Sequence, residues 1–157
     1  MPLGYPIILA NLYKLGGIRA VRSAIENAVL TFSHVENLEF IPYRRHALRY
    51  GKLFCDSFLL ATEAQRVGPK NVRVEMDSDR IRIYAILLKA LKKEDFEKYE
   101  EEVRKIRDLL VCIEEGGSLN KEEVKRSVKK LNELYDLFNE RIFNEERQLI
   151  VITSRSP

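Results

Sequence analysis

Two runs of apolar residues between positions 96 and 142 mirror each other across a glycine pair, and few folds satisfy such a pattern. Phe96, Tyr99, Val103, Ile106, Leu110 and Ile113 recur at alternating steps of 3 and 4. Val124, Val128, Leu131, Tyr135, Phe138 and Ile142 do the same after the turn. Reflected through Gly117, Phe96 meets Phe138, Tyr99 meets Tyr135, Val103 meets Leu131, Ile106 meets Val128 and Leu110 meets Val124. That is the signature of two helices folding back on each other. The arms are expected over about 94–115 and 121–143, each roughly 30 Å long at ~1.5 Å per residue. Gly116 stands where a left-handed C-cap is wanted, and Asn120 with Glu123 three residues on fits a capping box for the return arm. Leu109 and Leu134 flank the seam and widen it, so the hairpin is expected to pack on the rest of the domain. Arg107 and Lys125 would fall on the same side and repel, so charge does not reinforce the pairing.

Upstream, Ile18, Val21, Ile25, Ala28, Val29 and Phe32 share a helical face, with Arg22 and Glu26 at i,i+4 on the other side. Before it, Ile7 to Leu15 reads as a short helix or a strand closed by Gly16-Gly17, and Ser33 to Pro42 reads as a connection. A long helix is expected from Tyr43 to about Arg66. Its apolar residues nearly encircle it, leaving one narrow polar stripe of Arg45, Arg49, Lys52, Asp56 and Glu63. Such a helix belongs at the centre, packed on several neighbours. Gly51 within it costs up to ~1 kcal/mol against Ala and so marks a close helix approach.

After the Val67–Asn71 turn, Val72 to Met76 alternates like a strand. Residues 80–92 admit either the second strand of a hairpin or a helix capped by Ser78 or Asp79, with the helix favoured. Gln148 to Thr153 is rich in β-branched residues and reads as a strand able to pair with 72–76. The expected fold is therefore mainly α: a helical bundle ending in an antiparallel, coiled-coil-like hairpin, with short strands at 72–76 and 148–153. One domain spans 1–153, followed by a flexible polar tail at 154–157.

At 157 residues the chain can bury a core without disulfide or metal. Charged residues reach 32%, above the usual share of about 25%; with two Cys and no Trp this leans toward a heat-adapted composition. Charge is uneven: residues 1–92 hold 14 Lys/Arg against 8 Asp/Glu, and residues 93–157 hold 13 against 16. Cys55 and Cys112 form no CxxC pair and read as free thiols of a reducing compartment. The first residues lack the basic and apolar regions of a signal peptide, and no apolar run approaches the ~20 residues of a membrane span. A soluble cytoplasmic protein is expected.

Catalytic and metal chemistry find little support. His34-Val35-Glu36 has the H-x-E spacing of zinc deaminases without their P-C-x-x-C. His46 has no Glu or His at i+3 or i+4, and Cys55 lies about two and a half turns from it on the same helix. Gly16-Gly17 lacks the P-loop pattern. Neither a catalytic residue nor a metal ligand is assigned, and no cofactor is expected. The best chemical signal is Tyr43-Arg44-Arg45-His46 through Tyr50-Gly51-Lys52: arginines for phosphates, tyrosines able to stack on unpaired bases. Helical placement turns Tyr43 and Tyr50 away from the basic stripe, toward the core. Arg73, Arg80 and Arg82 extend the patch, interrupted by Glu75, Asp77 and Asp79. The role expected first is a non-enzymatic interaction or assembly module, a subunit that docks on a protein partner or self-associates, with no membrane. The second is a small helical subunit contacting RNA or DNA backbone through Arg44, Arg45, Arg49, Lys52, Arg73, Arg80 and Arg82.

Overall fold

The computed structural model describes the backbone of residues 4–35, 44–72 and 78–155, and side chains within 18–35, 44–72 and 80–141. Among these the chain is built from helices: α1 (Gly4–Ser33), α2 (Arg44–Val67), α3 (Ser78–Ala90), α4 (Lys93–Glu114) and α5 (Lys121–Arg155), with a 3-10 turn at Pro69–Asn71. No strand occurs among the described residues.

α2 is the hub. It packs on α1, α4 and α3, and α5 closes a four-helix ring by lying against α1 and, less extensively, α4. The cause is the one its sequence carries: Leu53, Phe54, Cys55, Ser57, Phe58, Ala61 and Thr62 are all buried and point in several directions. Phe58 sits between Phe54 and Phe96, with ring centroids 6.0 and 5.4 Å away. Buried hydroxyls do not disturb this core, because Thr31 and Thr62 donate back to the carbonyls of Asn27 and Phe58 at 2.8 Å. Where α1 crosses α2, Gly51 lets the backbones approach: a Cβ there would stand 3.3 Å from the Cα of Ala28 and 3.2 Å from the Leu110 side chain.

Local signals set the hairpin's turn. Gly116 has φ +77°, and its N–H donates to the Ile113 carbonyl at 3.1 Å while Gly117 donates to Cys112 at 2.9 Å. This is a Schellman close, which only a residue without Cβ enters cheaply. The Asn120 side chain then accepts from the Glu122 and Glu123 N–H groups and starts α5. At the other end of α4, the Asp95 carboxylate accepts from the Lys92 N–H at 2.8 Å.

The two arms run antiparallel, and Arg141 reaches Asp95 near the register of the mirror. They do not, however, zip chiefly onto each other. The α4 seam (Phe96, Tyr99, Val103, Ile106, Leu110, Ile113) is wholly buried, and α4 packs mainly on α2. On α5 the deeply buried positions are Ser127, Leu131, Leu134 and Phe138, whereas Val124, Val128 and Tyr135 are only partly covered. The buried stripe of α5 is thus turned toward Leu134, the residue expected to flank the seam. The Tyr135 hydroxyl leaves the hairpin altogether and donates to Glu26 of α1 at 2.8 Å.

Two local expectations change. Residues 7–15 are neither a strand nor a separate short helix; α1 runs unbroken through Gly16-Gly17. Two glycines cost about 2 kcal/mol of helix propensity, but propagation from a formed helix is far easier than a new nucleation. Residues 148–153 lie within α5 rather than in a strand. A β-branched run needs a neighbouring strand to satisfy its backbone, and none stands among the described residues. Of the expected strand at 72–76, Val72 follows the 3-10 turn and 73–76 lie outside the described residues. Residues 78–90 take the helical alternative.

Candidate functional site

The polar stripe of α2 is where the functional residues were expected, and packing divides it in two. From Lys52 onward it meets α4 in a ladder of ion pairs with alternating sign. Lys52 binds Glu114, Asp56 accepts from Arg107 at 2.6 Å, and Arg66 donates to Glu100 at 2.7 Å. Arg80 of α3 joins at Asp56, 3.5 Å away, and Arg104 joins at Glu100, 3.3 Å away. Residue numbers rise along α2 as they fall along α4, so the ladder registers two antiparallel helices. Its members are partly exposed, and exposed pairs are each worth at most about 1 kcal/mol. What they add is specificity, since a one-turn slip would set like charges opposite each other. The expected clash of Arg107 with Lys125 is avoided: Arg107 turns to Asp56, and Lys125 reaches Glu122 at 3.8 Å.

Arg44, Arg45 and Arg49 stand apart. They are exposed and form no ion pair with a described residue. Lys52 already holds Glu114, the last residue of α4, so Arg49 and Arg45 lie one and two turns past the reach of that helix's acids. Beside them the rings of His46 and Tyr50 lie against each other at i,i+4 in a tilted contact, with centroids 4.3 Å apart and planes 42° from parallel. His46 is exposed, and Tyr50 is half-buried against the core. The expected separation of tyrosine from the basic face is therefore only half true: one side of Tyr50 packs inward while its ring meets an exposed histidine. The i,i+4 spacing of His46 and Tyr50 carried that signal in the sequence.

The structure does not gather the whole expected patch. Lys52 and Arg80 are engaged in the ladder, Arg82 is half-buried on α3, and Arg73 and Tyr43 lie outside the described residues. A cleft of about 730 Å³ opens between the end of α1 and the α4–α5 turn, with His34, Lys121 and Lys125 in its wall. The α5 N–H groups beside it are already taken by Asn120. A smaller groove of about 260 Å³ between α4 and α5 mixes acids and bases around Ser127.

The described side chains that could act as nucleophiles or ligands are held as follows. Cys55 is fully buried, and its burial, reinforced by neighbouring Asp56, pushes the thiol pKa far up. A thiol held in its neutral form is a poor nucleophile. Tyr135 is likewise raised, first by its hydrogen bond to the Glu26 carboxylate. Among the described residues no group of three or more His, Cys, Asp or Glu could hold a metal ion, and no helix is long and apolar enough to cross a membrane. Compared with protein-family models, with curated proteins and with solved structures, the chain matches none.

Proposed function

We propose that this chain is a non-enzymatic assembly module of the cytoplasm, a subunit that associates through the overhanging ends of α1 and α5. The observation that carries this reading is the length of α5. Arg141 is tied to Asp95 in the first turn of α4, yet α5 continues to Arg155, about four turns further. α1 runs antiparallel to α5, as Arg22 with Asn139 and Glu26 with Tyr135 attest. Its first half therefore heads toward the same end. The first half of α1 is apolar in sequence, with Lys14 the single charged side chain among residues 1–18, and on α5 the apolar run Leu149 to Ile152 follows the polar stretch Asn144 to Gln148. A helix apolar on every side needs cover on every side, and the shorter α2, α3 and α4 offer little beyond their own length. Matching overhangs of an antiparallel pair also suit a two-fold contact between identical copies.

Light scattering of the purified chain tests the reading, with a dimer or larger species expected. Removal of residues 143–157 should give a monomer whose helical signal falls only by the lost turns. If the intact chain is monomeric across concentrations and recovers no protein partner from its native host, the assembly reading fails.

A further inference from the structure

The start of α2 departs from the pattern of α4 and α5. Those helices open with Glu94 and Asp95 or with Glu122 and Glu123, acids that suit the positive end of a helix dipole. α2 opens with Arg44, Arg45 and His46 and has no acid in its first turn. The two arginines at that end oppose the dipole and one another. Elsewhere along the same stripe every basic group finds a carboxylate: Lys52 has Glu114, Arg66 has Glu63 and Glu100, and Arg107 and Arg80 share Asp56. On α2 itself, the arginines without such a partner among the described residues fall within its first two turns, and those turns carry the paired His46–Tyr50 rings. A face that leaves arginines without carboxylates beside a fixed aromatic surface is suited to an anion that also has rings.

We propose that Arg44, Arg45 and Arg49 bind the phosphates of a single-stranded nucleic acid, with the His46–Tyr50 pair taking an unpaired base. Arginine supplies the phosphate contacts without regard to sequence, and a base stacks on a ring whatever its identity. Paired bases offer the rings no open face, which favours a single strand over a duplex. This surface lies on α2 and is independent of the overhanging ends assigned to assembly.

Fluorescence anisotropy of the intact protein with labelled oligouridylate, oligothymidylate, a DNA duplex and polyglutamate tests it. Both single strands should bind at low salt, and RNA against DNA shows which the surface prefers. With three phosphates neutralised, log K should fall with log salt at a slope of about −2. R45E/R49E should weaken binding at least a hundredfold. K125E/K129E on α5, which changes net charge equally, should weaken it only a few-fold. Y50L keeps an apolar side chain against the core and should cost about tenfold while leaving the salt slope unchanged. Circular dichroism confirms that each variant is folded. No binding at low salt, equal binding by R45E/R49E, a preference for duplex, or polyglutamate bound as tightly as the single strands would each overturn the proposal, the last by pointing to an acidic protein surface instead.

Discussion

Gly51 shows how a single residue positions two helices. Its missing Cβ is the space in which α1 meets α2, bounded by the Ala28 backbone and the fully buried Leu110. Alanine there gains up to ~1 kcal/mol of helix propensity, but the added methyl must displace a backbone, and overpacking costs about 1–3 kcal/mol. The expected outcome for Gly51→Ala is a net loss of about 1 kcal/mol in urea unfolding, with a larger loss for Gly51→Val. An alanine variant as stable as the parent would show that the helices can part without cost. The cysteines differ at the same scale. Cys55 is buried with its thiol pKa raised, whereas Cys112 is half-buried beside the chain turn, its Sγ 3.8 Å from the Ser118 carbonyl. A thiol reagent should therefore label Cys112 in the native protein and reach Cys55 only on unfolding. Fast labelling of Cys55 in C112S would contradict the burial. The glycine's role was legible from its sequence cost; the difference between the thiols was not, because it depends on which helices cover each one.

At the scale of elements, α2 and α4 are matched by charge as well as by apolar faces. Asp56 is the centre of that match, since it receives both Arg107 and Arg80. Asp56→Ala should lower stability by about 1 kcal/mol at low ionic strength, and the loss should shrink as salt screens these partly exposed groups. A loss unaffected by salt would assign the effect to packing instead. The helices themselves could be read from spacing: α2, α4 and the start of α5 fall within a residue or so of their expected bounds. The C-cap at Gly116 and the Asn120 cap were legible because capping is local chemistry. The partner of each helix was less so. The mirrored seams of α4 and α5 are real apolar faces, but a face specifies only that it must be covered. α2 competes for the α4 seam and wins most of it, while α5 rotates toward α1, where Asn139 and Tyr135 find Arg22 and Glu26.

For the whole molecule, periodicity and composition determined a helical bundle with a hub at α2, because apolar spacing and glycine punctuation act over a few turns and need no knowledge of distant neighbours. The continuation of α5 through a β-branched run depended on longer range: those residues become strand only where another strand awaits them. The basic stripe was legible as a run of arginines. Which of its members are engaged was decided by tertiary structure alone, since Glu114, Asp56 and Glu100 are brought to it by the antiparallel packing of α4. Sequence thus determined what each segment would form and which faces had to be buried. Folding decided which charges neutralise one another, leaving Arg44, Arg45 and Arg49 exposed past the end of α4, because electrostatic partners are set by distance in space and not by distance along the chain.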